Sequence, residues 1–321
     1  MHYRRLGRWG LKLSEISLGA WVTFGEQLTE LEAVNLIHAA YEMGVNFFDN
    51  ADINANGKAE ETMGKAIRTL PREAVVLSSK VFWPTFSGPN GRGLSRKHII
   101  ESCNASLRRL NTDYIDLYFC HRHDPDTPYE EIVYAMDTLL QQGKILYYGT
   151  SEWRAAQISS LHGVARRYNV PPPVVEQPQY NMFHRQRVED ELSPVAEELG
   201  VGLTVWGPLS SGILSGKYSD GIPEGSRAAL ESMSWVRDQL TPARQITVWE
   251  LSTLAHQLGL TTAQLAIAWL LRRRSVTSVI TGATSIPQLE ENVEAGDAVR
   301  LLTEDVLERI EEILGNLPDV E

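Results

Sequence analysis

Val75-Val76-Leu77-Ser78-Ser79-Lys80 and, one amphipathic stretch later, Tyr114-Ile115-Asp116-Leu117-Tyr118-Phe119-Cys120-His121 are short apolar runs, each ending on a side chain that can carry a proton. Val45-Asn46-Phe47-Phe48-Asp49 ends the same way. Runs this short suit strands covered on both faces, the signature of a parallel sheet. In a parallel barrel the C-terminal ends of the strands meet at one mouth, so residues remote in sequence share a pocket. An acid, an amine and an imidazole gathered there can move protons.

Outward from these runs the pattern repeats. Strands are predicted at 16–20, 45–50, 75–80, 114–120, 145–151, 174–180, 202–207 and 278–283, preceded by a short hairpin over residues 3–7 and 11–13. Amphipathic stretches lie at about 30–43, 58–69, 95–110, 128–142, 154–168, 186–199, 244–258 and 262–272. Alternation of this kind predicts βα units. Thr29 with Glu32, and Thr127-Pro128 with Glu130, read as helix starts in which a side-chain oxygen satisfies free N–H groups. The expected fold is a single (β/α)8 barrel over residues 1–321, with an N-terminal hairpin and an extra helix at 303–314 docked outside. Two Gly- and Pro-rich interruptions, Trp83 to Gly93 and Ser210 to Pro242, read as functional loops at the mouth.

Composition narrows the function. The 321 residues carry a formal net charge of −11, which argues against wrapping nucleic acid or resting on an anionic membrane. No stretch approaches the roughly 20 apolar residues of a membrane span. The basic N-terminus leads into no long apolar segment, so no secretory signal is expected. With only Cys103 and Cys120, a reducing, cytoplasmic setting is the default, and Cys120 reads as a buried inert thiol. No metal site is expected.

Several separate segments, in order, resemble the aldo-keto reductase superfamily, and within it the branch of voltage-gated potassium-channel β subunits and their bacterial relatives. They are Gly19-Ala20-Trp21-Val22-Thr23-Phe24-Gly25, Asn56-Gly57-Lys58-Ala59-Glu60, residues 92–101, Gly149-Thr150-Ser151, residues 208–218, and Ala263-Gln264-Leu265-Ala266-Ile267-Ala268-Trp269. The resemblance implies NADPH extended across the barrel mouth, with hydride passing to a carbonyl carbon. Asp49, Lys80 and His121 match three members of the family's catalytic tetrad. The fourth is a tyrosine, which protonates the carbonyl oxygen; the lysine lowers its pKa, the aspartate pairs with the lysine, and the histidine orients the carbonyl. The tyrosine position is Asn54 here.

The resemblance also implies the cofactor contacts. Gly19, Trp21 and Gln27 match first-loop positions, and Asp49 belongs to both sets. Ser151 and Gln177 match the positions that bind the carboxamide, and Trp206 matches the aromatic that stacks on nicotinamide. Pro208, Leu209, Ser210 and Gly212 open the seventh loop, where Lys217 and Arg227 match phosphate contacts. Gly282 and Thr284, followed by Gln288, Glu291 and Asn292, match the adenine and 2′-phosphate end. The two seventh-loop cations, Lys217 and Arg227, favour NADPH over NADH. Trp21 and Trp83 are expected to line the substrate pocket.

An amide can donate a hydrogen bond but releases no proton at neutral pH, so Asn54 leaves three readings open. They are an engineered change, a loss with nucleotide binding retained, and chemistry such as iminium reduction that needs no acid. His121 is the candidate substitute donor. The expected substrate is a small carbonyl or imine. The alternative is an NADPH-binding regulatory subunit like the channel β proteins; against channel work specifically, no long extension precedes the first hairpin. A Schiff-base lyase using Lys80 is disfavoured by the 2′-phosphate elements. A homo-oligomer, tetramer or larger ring, is implied by resemblance alone.

Overall fold

Residues 1–25 and 27–317 are described by the computed structural model. The chain opens with an antiparallel hairpin, β1 (Tyr3–Arg5) against β2 (Lys12–Ser14). Eight parallel strands follow: β3 (Ile16–Gly19), β4 (Phe47–Asp49), β5 (Val76–Val81), β6 (Ile115–Cys120), β7 (Ile145–Ser151), β8 (Val175–Gln177), β9 (Gly202–Trp206) and β10 (Val276–Thr281). They close in the ring order β10-β3-β4-β5-β6-β7-β8-β9. This is the expected (β/α)8 barrel. Every residue of β5, β6 and β10 is buried, because helices cover the outer face and side chains fill the ring.

Leu6 and Leu13 of the hairpin region pack with Phe47, Leu117, Phe119, Val175 and Ile280 inside the barrel. Gly7 makes this approach possible: a Cβ there would lie 2.4 Å from the carbonyl oxygen of Gly200, in the turn that leads into β9. The hairpin therefore stops the N-terminal end of the ring, and the site opens at the other end.

The helices are α1 (Glu30–Glu42), α2 (Lys58–Ile67), α3 (Arg96–Leu110), α4 (Tyr129–Gln141), α5 (Ala155–Arg167), α6 (Ser193–Leu199), α7 (Trp235–Asp238), α8 (Pro242–Gln257), α9 (Thr262–Leu271), α10 (Ile286–Ala298) and α11 (Glu304–Leu314). Thr29 and Glu32 form the expected capping box of α1. At α4 the expected cap is absent, since the Thr127 hydroxyl donates to Asp124 Oδ2 at 2.7 Å instead.

The predicted set of eight barrel helices also needs correction. Both 244–258 and 262–272 precede β10, and the helix that completes the ring is α10, which packs against α9 and α1. It begins just after Gly282-Ala283-Thr284, where the sequence also reads as entering a helix. The extra helix α11 docks outside, on α8, burying Ile310. The 186–199 stretch divides into a π-helical turn (Arg187–Leu192) and α6, which has Pro194 at its start. Strand β8 ends before Pro178, which cannot donate to the ladder, and β10 begins and ends two residues earlier than expected.

Among the described residues no single helix is long and apolar enough to cross a membrane.

Candidate active site

A cleft of about 680 Å³ occupies the C-terminal mouth of the barrel. Its floor is built from the ends of adjacent strands. Asp49, the last residue of β4, and Lys80, near the end of β5, are both buried. Lys80 Nζ donates to Asp49 Oδ1 at 2.8 Å, to Asp49 Oδ2 at 2.7 Å and to the Asn50 carbonyl at 2.7 Å. Asp49 Oδ1 also accepts from Ser78 Oγ at 2.6 Å and from Gln177 Nε2 at 2.9 Å, across the ring on β8. Burial lowers the Lys80 pKa, and Asp49 opposes that by favouring the ammonium.

Asn54 lies just past β4, where Ala55 (φ 47°) and Asn56 (φ 54°) take left-handed backbone and turn the chain into α2. It lines the cleft, and its Nδ2 donates to Asn50 Oδ1 at 3.3 Å. His121 follows β6 on the same wall, its ring 6.4 Å from Trp83 in an edge contact. Burial, then the charges of Lys80 and Arg122, push the His121 pKa well down. The imidazole is neutral near pH 7, which removes it as a ready source of protons and leaves it a hydrogen-bonding group.

The opposite wall carries aromatic and cationic groups. Trp206, at the end of β9, meets Trp21 edge-on at 5.7 Å. Its indole N–H donates to Glu152 Oε1 at 2.9 Å, and Arg187 Nη1 holds Glu152 Oε2 at 2.6 Å. Ser151 Oγ donates to the Gln177 carbonyl at 2.9 Å. Gln27 Nε2 reaches the Gly225 carbonyl at 3.1 Å, joining the first loop to the seventh. Thr284 donates from both its backbone N–H and its hydroxyl to Gln288 Oε1, each at 3.0 Å, at the start of α10.

A nicotinamide adenine dinucleotide, with its anionic phosphates, fits this donor set. A Cβ on Gly282 would meet Arg227 Nη2 at 3.0 Å, and one on Gly212 would meet Lys217 Nζ at 2.7 Å, so bare backbone lies directly beside each cation. Neither cation is ion-paired among the described residues. Desolvation and then Arg227 lower the Lys217 pKa, and burial lowers that of Arg227; both shifts would be relieved by an anion.

The structure gathers Gly19, Trp21, Gln27, Asp49, Asn54, Lys80, His121, Ser151, Gln177, Trp206, Pro208, Leu209, Gly212, Lys217, Arg227, Gly282, Thr284, Gln288, Glu291 and Asn292 around the one cleft, with Trp83 beside them. Ser210 is the exception. It is buried behind the wall, and Ser211 lines the cleft in its place because both residues turn through left-handed backbone. Of the two interruptions, the seventh loop supplies wall residues from Ser211 to Arg227, whereas the third contributes Trp83. Sequence reasoning missed Arg122 on the wall and Glu152 behind Trp206. Arg122 directly follows His121 and was open to the same strand-end argument.

The chain is 49% identical over 322 residues to a probable voltage-gated potassium channel subunit beta of Arabidopsis thaliana, covering 99% of this chain and 98% of that protein. A protein of the same description from Oryza sativa subsp. japonica is also 49% identical, with the same coverage. A putative voltage-gated potassium channel subunit beta of Schizosaccharomyces pombe is 45% identical, covering 98% and 94%. The aldo/keto reductase family model matches residues 15–315, and with it the chain belongs to the aldo/keto reductase family of oxidoreductases.

Proposed function

We propose that this barrel, read as one unit over residues 1–321, is an NADPH-dependent oxidoreductase acting on a small carbonyl or C=N substrate. The observation that carries this reading is the buried Lys80–Asp49 pair at the floor of a cleft whose far side holds Lys217 and Arg227 beside bare glycine backbone. Bound NADPH would supply hydride to the substrate carbon. Lys217 and Arg227 hold its phosphates, with Gly282, Thr284, Gln288, Glu291 and Asn292 around the adenosine end. Trp206 backs the nicotinamide. Gln177 has its N–H on Asp49, so its Oε1 is free to accept from the carboxamide.

Lys80 keeps positive charge beside the substrate oxygen, stabilising negative charge as it develops, and Asp49 fixes its position. His121 and Asn54 orient the oxygen by hydrogen bonds. Neither is an effective acid, so the proton that completes an alcohol comes from water, and a protonated imine needs none. A positioned general acid contributes about 10²–10⁴-fold, so plain carbonyl reduction should be slow by that range.

NADPH consumption with 4-nitrobenzaldehyde is the test, run on this chain and on Asn54→Tyr. The phenol should raise the rate by about 10²-fold or more. An unchanged rate would show that position 54 does not face the reacting oxygen. A fluorescence titration should give tighter binding of NADPH than of NADH.

Asn54, together with relatives described as channel β subunits, favours a second reading: an NADPH-binding regulatory subunit. Tight NADPH binding with no turnover across a carbonyl and imine panel would select it. The unpaired thiols of Cys103 and Cys120 suit the reducing cytoplasm.

A further inference from the structure

Arg122 leaves β6 directly after His121 and lines the cleft. Its Nη1 donates to the His121 carbonyl at 2.6 Å, and its remaining N–H groups make no hydrogen bond among the described residues. The two carboxyl groups whose fields reach it are Glu152 and Glu176. Glu152 is taken by Arg187 at 2.6 Å, and Glu176 accepts from Thr150 at 2.5 Å and from the Trp153 N–H at 3.1 Å. Arg187 Nη2 also stands 3.9 Å from Glu176 Oε1, and burial pushes the Glu176 pKa up to about 8, so this carboxyl too is engaged elsewhere. The other charges at this end cancel or vanish, since Asp49 is spent on Lys80 and His121 is neutral. On the cleft wall itself the Arg122 guanidinium therefore has no carboxylate partner; it lies 5.7 Å from the Trp83 ring, which the solvent-exposed Arg92 also approaches, at 5.2 Å.

That cation is remote from the phosphate-type cluster. β6 is four strands from β10 in either direction round the ring, whereas Arg227 lies against Gly282, just after β10. Arg122 instead flanks the place where a substrate would lie against His121, Asn54 and Lys80.

Resting on the oxidoreductase reading, we propose that the substrate of this site is a small anion, an oxo- or imino-carboxylate whose carboxylate is gripped by Arg122. A planar guanidinium matches a carboxylate with two parallel N–H···O bonds.

Binding of 4-carboxybenzaldehyde and of its methyl ester, which keeps the ring and aldehyde but lacks the charge, tests this through quenching of tryptophan fluorescence. It is run on the chain with and without NADPH, for the parent, Arg122→Gln and Arg122→Lys. The parent should bind the acid at least about ten-fold more tightly than the ester, the range of a charge-assisted hydrogen bond. Arg122→Gln should bring the ratio near one, Arg122→Lys should keep part of it, and all three should titrate NADPH alike. A ratio near one in the parent, or one that survives Arg122→Gln, overturns the proposal. Failure to bind NADPH would instead sink the cofactor reading, while the acid-to-ester ratio on the cofactor-free chain still reports on Arg122.

Discussion

Replacing Lys80 by Met strands the Asp49 carboxylate in a buried site. At 2.7 Å and an effective dielectric near 20, the two charges attract by about 6 kcal/mol, against several kcal/mol of desolvation for each ion. Breaking one partner of such a pair typically costs about 3–5 kcal/mol. Asp49 keeps two further donors, Ser78 Oγ and Gln177 Nε2, which places Lys80→Met near the lower end, at about 3 kcal/mol. Asp49→Asn/Lys80→Met removes both charges, and the amide oxygen can still accept from Ser78 and Gln177. The double variant should therefore recover about 2 kcal/mol relative to the summed single losses, read from urea unfolding of all four chains. Single losses that add within about 0.5 kcal/mol would refute the coupling and, with it, the role given to Asp49.

Other consequences can be checked as directly. Burial first, then Glu60, pushes Asp52 up to about 8, and both its carboxyl oxygens lack partners among the described residues. Its folded pKa exceeds the ordinary 3.8, so this contribution to stability is whole below that value and is lost as pH rises through about 8. Asp52→Asn should gain on the parent in urea midpoint between about pH 5.5 and about pH 8.5, and a constant difference would contradict the burial argument. Arg227→Met should weaken NADPH roughly 10–100-fold in a fluorescence titration, with a much smaller effect on NADH; equal losses would place Arg227 away from the 2′-phosphate. Glu152→Ala removes the anchor of the Trp206 indole, and NADPH affinity should fall roughly 10-fold; unchanged affinity would mean that Trp206 needs no such support.

Much of the site could be read from the chain because a parallel barrel maps sequence onto space simply. A polar residue that ends an apolar run must emerge at the mouth, whichever strand bears it. Asp49, Lys80 and His121 were legible for that reason, and family-like segments carried the loop residues. Arg122 was missed by stopping at the first polar residue after β6. The start of α10 was legible after Gly282-Ala283-Thr284, but its buried residues, Leu289, Asn292, Ala295 and Ala298, are too widely spaced among polar ones for it to stand out as one of the eight amphipathic stretches. Ser210 and Ser211 exchanged places because left-handed backbone decides which of two adjacent serines faces the cleft, and periodicity says nothing of that.

Local pattern alone determined the alternation of strands and helices, the hairpin, and the strand ends at which chemistry would gather, since side-chain period and chain direction are properties of sequence. Only the tertiary structure decided what state those groups are in. Burial together with the charges of Lys80 and Arg122 keeps His121 neutral, Arg187 takes Glu152, Asp49 is consumed by Lys80, and Arg122 is left without a carboxylate partner. Charge state depends on desolvation and on distances of a few ångströms between residues far apart in the chain, and the closed ring is what sets those distances.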